Sequence, residues 1–299
     1  MNFIFTIKTS LRRNINRIFN FNRPSSYPFI TGDGFRGLAQ HYFDDISDIN
    51  PNDVQEKDII FVRSDFLKTF FANKHSKIKN SYILISHNDD TDIDENYAKF
   101  IDEKIIHWFA QNLCFKHEKV TPLPIGIQNL RYNETGKLKY FTQINFRKEK
   151  EFLIRYGFST RSHSERILAE ENLKKSTIAK KISNQTQSTS NQDKYMEVVK
   201  NSYFLASPRG RGTDCHRTWE AIYLKTIPIV SRSVATEYFE NIGLPILLID
   251  SWDKIADMTP EYLEQEYTKM QNTNTHERSD ITEQAYMEYW QKEILKYKN

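Results

Sequence analysis

The sequence predicts an α/β fold built from two successive units, each with a parallel sheet. Short apolar segments alternate with helical patterns over residues 27–129, and the same alternation begins again over residues 151–249. Such alternation is typical of parallel sheets, which bind ligands at the carboxyl ends of their strands. The charged, helical pattern of residues 251–299 predicts in addition a C-terminal helical segment.

The composition excludes several other classes of protein. A chain of 299 residues is long enough for two domains, and 38% hydrophobic with 27% charged residues is typical of a soluble globular protein. No apolar run approaches the roughly 18 residues that span a bilayer. The two cysteines, Cys114 and Cys215, are too few for a disulfide scaffold or a four-cysteine zinc site. A reducing cytoplasm is therefore the expected compartment.

The N-terminal arm, residues 1–23, is basic and amphipathic. It has five basic residues and no acid, and its apolar residues recur every three or four positions, namely Ile4, Ile7, Leu11, Ile15 and Ile18. This spacing predicts a helix that either lies on an anionic membrane surface, on the inner face of the membrane, or packs on the domain. Since the formal net charge is only +3, the rest of the chain is nearly neutral, which argues against nucleic acid binding.

The first unit, residues 24–146, begins with a predicted short strand and glycine turn over 27–37. The remaining predicted elements are a strand and helix over 58–71, a strand over 81–90, a helix over 93–103, a strand over 104–112 and an extended segment over 120–129.

The second unit, residues 147–270, begins with a predicted strand over 151–160 whose end is crowded with arginines. Residues 183–193 contain no apolar side chain and predict a loop. The further predicted elements are strands over 203–206, 227–230 and 245–249, a helix over 216–224 and a short helix around Tyr238. Residues 271–299 are expected to pack back across both domains through one face, formed by Tyr286, Tyr289, Trp290, Ile294 and Tyr297.

The segment 207–230, SPRGRGTDCHRTWEAIYLKTIPIV, joins a strand to a helix through a loop with two glycines. Glycines let ligand atoms approach the backbone, and the first turn of a helix offers unpaired N–H groups to an anion. Arg209, Arg211 and Arg217 add guanidinium groups suited to a diphosphate. Glu220 lies one turn into the helix, where it can accept hydrogen bonds from ribose hydroxyls. The pattern predicts a nucleoside diphosphate site; an exposed turn with solvated arginines is the alternative.

This segment resembles the nucleotide-sugar motif of exostosin-like glycosyltransferases, which combines a strand, a glycine turn, Arg, Trp-Glu-Ala and a closing Ile-Pro-Ile-Val strand. Weaker similarity extends through FVRSDFL, ILISHNDD, HWFAQN and PLPIGI in the first unit. The resemblance implies the GT-B architecture, in which two Rossmann-like domains face a cleft and bind the acceptor and the donor, respectively. Leu224-Lys225-Thr226 replaces the glycine usual before the closing strand, which leaves the donor sugar open.

The implied activity is transfer of a sugar from a nucleoside-diphosphate sugar to a glycan or lipid-linked acceptor. Inversion without a metal or cofactor is expected, in the synthesis of a surface polysaccharide or another glycoconjugate. The resemblance assigns Arg209, Arg217 and Glu220 to the donor's diphosphate and ribose. The full expected donor site is Arg155, Arg161, Ser207, Arg209, Gly210, Arg211, Gly212, Asp214, His216, Arg217 and Glu220.

An inverting enzyme needs a base that takes the proton from the acceptor hydroxyl. The candidates stand at predicted strand or loop ends of the first unit: Asp33, Asp65, His87, Asp90 and Asp92. Asp33 and Asp90 are favoured, although aspartates also cap turns and helices. Asp214 is expected to shape the turn or touch the sugar, and His216 to open the helix near the phosphate.

Two other functions remain open from the sequence. Asp90-Thr91-Asp92 follows a strand and would chelate a divalent metal in a GT-A glycosyltransferase. A non-catalytic nucleotide-sugar or glycan-binding protein would keep the same loop without turnover. A Rossmann oxidoreductase is disfavoured, because no G-x-G-x-x-G follows an early strand.

Overall fold

The computed structural model describes residues 23–132, 135–142, 151–182, 189–273 and 282–298. The predicted amphipathic helix of the N-terminal arm and most of the predicted loop at 183–193 lie outside the described residues. Within the described ranges, no helix combines the length and the apolar character needed to cross a membrane.

The first unit contains a sheet of five parallel strands in the order β1-β2-β3-β4-β5. Its helices are α1 (Gly32–Arg36) and α2 (Leu67–Asn73), with a 3-10 helix at Glu95–Phe100. The strands are β1 (His41–Phe43), β2 (Asp58–Arg63), β3 (Tyr82–His87), β4 (Ile105–Gln111) and β5 (Val120–Leu123). Every side chain of β3 is buried, as expected for the central strand of a sheet covered on both faces.

The second unit contains a second sheet of five parallel strands, in the order β10-β9-β8-β6-β7. A short helix, α3 (Lys139–Thr142), precedes it. The strands are β6 (Ile154–Tyr156), β7 (Ala179–Lys181), β8 (Phe204–Ala206), β9 (Ile227–Ser231) and β10 (Leu247–Ile249). Its helices are α4 (Glu165–Lys175), α5 (Thr189–Lys200), α6 (His216–Tyr223), α7 (Val234–Asn241) and α8 (Pro260–Thr273), and the C-terminal helix α9 (Met287–Leu295) follows.

The predicted α/β class is confirmed, since the chain forms two Rossmann-like parallel sheets, as the GT-B architecture requires. The prediction for residues 27–37 is wrong in detail. Thr31 Oγ1 accepts a hydrogen bond from Gly34 N at 3.0 Å and so caps a helical turn, α1, where the sequence predicted a glycine turn. Residues 93–103 form only a short 3-10 helix, which Asp94 caps by accepting from Asn96 N.

A continuous apolar core joins the two units and the C-terminal helix. Trp290 of α9 is fully buried, and its ring centroid lies 6.4 Å from that of Phe35 in the first unit and 6.3 Å from that of Phe239 in the second. The Tyr223 hydroxyl of α6 accepts a hydrogen bond from Ile30 N and donates one to Ala285 O. Tyr223 of α6 thus contacts the first unit, and Trp290 of α9 contacts both units.

Candidate active site between the two units

The predicted donor loop runs from the end of β8 to the start of α6. Ser207 N donates to Ile229 O at 2.8 Å, which keeps the loop in line with β9. Cys215 occupies the N-cap position in an extended conformation, and its side chain makes no capping hydrogen bond. The first turn of α6 therefore presents backbone N–H groups without a capping side chain, and these can serve an anion.

Gly212 lies where the loop touches the first unit. A Cβ at this position would stand 2.4 Å from Asn112 Nδ2 and 2.5 Å from Asn112 Oδ1, so no other residue fits without displacing that amide. Asn112 itself has a φ of 56° at the end of β4 and accepts a hydrogen bond from Asp214 N at 3.3 Å. The second glycine of the motif thus serves the contact between the units.

Asp214 ties the loop to both units. Its Oδ2 atom accepts hydrogen bonds from Ile125 N at 2.8 Å and Trp219 Nε1 at 2.7 Å, and its Oδ1 atom accepts from Cys215 N at 2.8 Å. The residue is 5% exposed, and this burial raises the pKa of its carboxyl to about 6, although the three hydrogen bonds oppose the rise. These contacts use both carboxylate oxygens to hold the loop.

Two arginines, the buried Arg166 and the half-buried Arg217, lie beside the ring of Phe158. The guanidinium carbons of Arg166 and Arg217 lie 5.9 Å and 5.6 Å from the centroid of the Phe158 ring. Arg166 is 8% exposed and donates to Arg209 O and Ser159 O, and its pKa is lowered by burial and by the charge of Arg217. Carboxyl groups of the chain oppose this effect, since the charge of Glu165 raises the pKa of Arg166 and the charge of Glu220 raises that of Arg217.

Two nitrogen atoms of Arg217 are available as hydrogen-bond donors. Its Nε and Nη1 atoms are buried, and neither has a hydrogen-bond partner among the residues that the structure describes. The hydroxyl of Tyr195 on α5, which lies beside Arg217, is likewise buried without a partner there. Because unpaired buried polar groups cost about 1–3 kcal/mol each, these atoms indicate a site for a polar, anionic ligand.

Glu220 stands one turn after Arg217 on α6 and is 5% exposed. Burial raises the pKa of its carboxyl to about 7, while the charge of Arg217 opposes the rise. The pKa of Tyr140, on α3, is raised to about 12. Burial is the main cause, and the nearby Asp193 and the charge of Glu220 add to it. The site therefore combines a guanidinium that has two nitrogens without hydrogen-bond partners among the described residues, a carboxyl of raised pKa and two tyrosines.

Glu220→Gln is expected to stabilise the unliganded protein more at pH 8 than at pH 5. The unfolded chain releases this proton near pH 4.5 and the folded chain near pH 7, so wild-type stability falls as the pH rises through that window. At about 1.4 kcal/mol per pKa unit the loss reaches about 3 kcal/mol, and glutamine does not titrate.

Urea unfolding of both proteins at pH 5 and pH 8 measures this difference. Glu264→Gln, at an exposed position of α8, is the control and is expected to show no such change with pH. An equal effect of Glu220→Gln at the two pH values would contradict the assignment of a buried, titrating carboxyl.

The other predicted donor residues lie in different surroundings. Ser207, Arg209 and Asp214 line a cavity of about 100 Å³ beside the start of α7, and a Cβ on Gly210 would meet Arg166 Nη2 at 3.1 Å. Arg155 lies half-buried on β6, whereas Arg161 and Arg211 are exposed. His216, the first residue of α6, lies next to Gly126 of the first unit.

Two of the proposed bases are engaged by neighbouring side chains or backbone. Asp33 is buried and forms ion pairs with Arg23 and, at 3.1 Å, with Arg131 Nε. His87 is 1% exposed; its Nε2 atom donates to Pro124 O at 3.0 Å, and its Nδ1 atom accepts from Asn88 N at 2.7 Å. Burial lowers the pKa of His87 to about 4, so this imidazole is neutral near pH 7.

The remaining candidates lie at the carboxyl ends of β2 and β3. Asp65 forms an ion pair with Arg63 at 2.9 Å, and burial raises the pKa of its carboxyl. Asp92 pairs across the units with Arg209 Nη2 at 2.8 Å, so the two carboxylates of the Asp90-Thr91-Asp92 triplet have different surroundings. Asp90 is exposed.

The sequence alone missed several residues of this site. These residues come from other elements: Phe158 from the loop after β6, Glu165 and Arg166 from α4, and Tyr195 from α5. Glu165 Oε1 accepts hydrogen bonds from Ser231 Oγ and Trp252 Nε1. These bonds fix one wall of the cavity beside α7, which Glu165 and Ser231 line. The arginines at the end of the strand predicted over 151–160 were the available signal, and they indicated correctly that the carboxyl end of β6 is part of this site.

Comparisons with known proteins give one family and several solved structures. The family model of the RXYLT1 C-terminal domain matches residues 142–296, just over half of the chain. No curated protein matches the sequence. A trehalose-6-phosphate synthase is 12% identical over 82% of this chain and 74% of that chain, with a TM-score of 0.45.

Two further solved structures are similar at lower scores. TarM is 14% identical over 79% of this chain and 54% of that chain, with a TM-score of 0.38; the chain thus spans little more than half the length of TarM. HepE from Anabaena, in a structure with UDP-glucose, is 8% identical over 80% of this chain and 76% of that chain, with a TM-score of 0.37.

Proposed function

The chain belongs to the RXYLT1 C-terminal domain family, a glycosyltransferase family, and we propose that it transfers a sugar from a nucleoside-diphosphate sugar to a glycan or lipid-linked acceptor. The proposed reaction inverts the anomeric carbon and needs no metal. The proposed setting is the synthesis of a surface polysaccharide or another glycoconjugate at the inner face of a membrane.

The observation that carries this proposal is the pair of buried nitrogens of Arg217, Nε and Nη1, which lie near Arg166 and have no hydrogen-bond partner among the described residues. A diphosphate offers two negative charges and several acceptor oxygens at this place, and planar guanidinium groups bind such oxygens in pairs. Glu220, one turn further on α6, would accept hydrogen bonds from the vicinal hydroxyls of the ribose. The same donors would stabilise the diphosphate as it leaves.

The first unit is the proposed acceptor side. The carboxyl ends of its strands face the donor loop, as shown by the contacts of Asn112 with Asp214 and of Asp92 with Arg209. Asp92 supports the metal-independent reaction over the GT-A alternative, because its Oδ2 atom is taken by an arginine of the other unit. The exostosin-like resemblance stays a prediction.

A thermal-shift panel of UDP, GDP, ADP, dTDP and CMP, with and without EDTA, tests the proposal on wild type and Glu220→Ala. Ligands that bind the native state raise the midpoint by mass action. We expect one diphosphate to raise it, in EDTA as well, and expect Glu220→Ala to lose most of that shift while Glu264→Ala keeps it.

Other outcomes would overturn the proposal in distinct ways. A shift that EDTA removes would favour the GT-A alternative with Asp90 and Asp92. A shift without hydrolysis or transfer of any nucleotide sugar would favour a non-catalytic binding protein. No shift with any nucleotide would remove the donor site altogether.

A further inference from the structure

His216 is held at the boundary between the two units by a single hydrogen bond. Its Nδ1 atom lies 2.8 Å from the carbonyl oxygen of Gly126 in the first unit. Because a carbonyl oxygen only accepts, Nδ1 carries the hydrogen, and the neutral ring then presents the lone pair of Nε2. Among the described residues, none donates a hydrogen bond to Nε2.

Two titratable groups of the first unit face this imidazole. Asp90, exposed in the loop after β3, raises the pKa of His216 through its charge, and His87 at the end of β3 is the other electrostatic neighbour. Burial lowers the pKa of His216 and outweighs Asp90, so the ring is neutral near pH 7. Both ring nitrogens of His87 are already hydrogen-bonded, which leaves His216 as the imidazole with a free acceptor atom.

His216 and Arg217 are adjacent on α6 but point to different units. His216 contacts Gly126 in the first unit, the proposed acceptor side, whereas Arg217 contacts Phe158 in the second unit. An inverting displacement needs its base and its leaving group on opposite sides of the anomeric carbon. The start of α6 thus carries a candidate base, His216, directed to the first unit and a candidate ligand of the leaving diphosphate, Arg217, directed to the second unit.

We propose that Nε2 of His216 is the general base of the transfer reaction and that Asp90 is a positioning residue that stabilises the protonated imidazole. The inference rests on the proposed function. The acceptor hydroxyl gives its proton to Nε2, and its oxygen forms the new bond to the anomeric carbon. The bond from that carbon to the diphosphate oxygen breaks, and its electron pair leaves on the diphosphate beside Arg217.

The test uses the full chain and hydrolysis of UDP-glucose, UDP-xylose and GDP-mannose, with water as the acceptor and release of nucleoside diphosphate as the readout. His216→Asn keeps an N–H for Gly126 O but has no basic nitrogen. We expect its kcat to fall by about 10²–10⁴-fold, with the thermal shift by the nucleotide unchanged. His117→Asn is the matched control and should keep wild-type kcat, because His117 precedes the amino end of β5, whereas Gly126 follows its carboxyl end.

The pH profile separates Asp90 from a purely structural role. Wild-type kcat should fall as the pH drops and Nε2 becomes protonated. Asp90→Asn removes a negative charge that favours the imidazolium, so this limb should move to lower pH while kcat falls by about 10-fold or less. An unmoved limb would remove Asp90 from the proposal.

The outcomes distinguish this inference from the proposed function. If His216→Asn keeps kcat within about threefold of wild type, the base lies elsewhere, although the donor site stands. If the variant is folded but loses the nucleotide shift, His216 is a donor ligand and the inference fails. A wild-type protein that binds nucleotide and hydrolyses none of the three sugars overturns the enzyme proposal and this inference together.

Discussion

Arg217→Ala is expected to weaken the binding of the cognate nucleoside diphosphate by about 100-fold or more. Hydrogen bonds from a charged donor contribute about 1.5–3 kcal/mol each, and two buried nitrogens of Arg217 are free to make them. At about 1.4 kcal/mol per factor of ten, two such bonds account for this loss. Titration calorimetry at fixed ionic strength measures it.

The unliganded Arg217→Ala protein should melt at a lower temperature than wild type. Burial lowers the pKa of Arg217, but the charges of Tyr195, Cys215 and Glu220 outweigh burial and raise it, so the folded protein favours the charged guanidinium. Arg217→Lys keeps the charge but not the planar guanidinium, and an intermediate affinity is expected. Lys254→Ala, at an exposed position, is the control. Unchanged affinity in Arg217→Ala would refute the assignment of the diphosphate to this guanidinium.

Trp290→Ala is expected to reduce the free energy of unfolding by about 3–5 kcal/mol. The indole is fully buried, lies among aromatic rings of both units, and its Nε1 atom donates to Gln284 O at 2.8 Å. Its removal leaves a cavity where α9 joins the units. Urea unfolding followed by circular dichroism measures the loss.

Trp290→Phe retains an aromatic ring and should lose less than half as much stability. Leu295→Ala, on the same helix but 37% exposed, should lose less than about 1 kcal/mol. If Trp290→Ala and Leu295→Ala are equally stable, α9 does not contribute to the common core in solution.

The strands of the fold were predictable wherever several apolar residues follow one another. β2, β3 and β4 are buried through most of their length, and their observed bounds lie within three residues of the predicted ones. β1 and β7 have only three residues each and are partly exposed, so no apolar run marks them. Sequence patterns do not predict such edge strands, because their extended conformation depends on pairing with the neighbouring strand.

The candidate site was predictable only where its residues share one segment. Arg217 and Glu220 stand three residues apart on one helix, so their proximity follows from the helical repeat. Arg166 and Tyr195 reach the same place from other elements, and no spacing in the sequence relates them to α6. Arg166 and Tyr195 belong to the site because of the order in which strands β6, β8 and β9 lie in the sheet.

The donor loop also contacts the first unit through Gly212 and Asp214, and these contacts limit which substitutions the loop can accept during evolution. A substitution in the loop alters ligand recognition and the attachment of the two halves at once. New preferences for a nucleotide should therefore arise at positions outside the loop, such as Phe158 and Tyr195, which lie beside Arg217 in the second unit. Among homologues, sequence variation that accompanies a change of donor is expected there, while residues 212–214 stay the same.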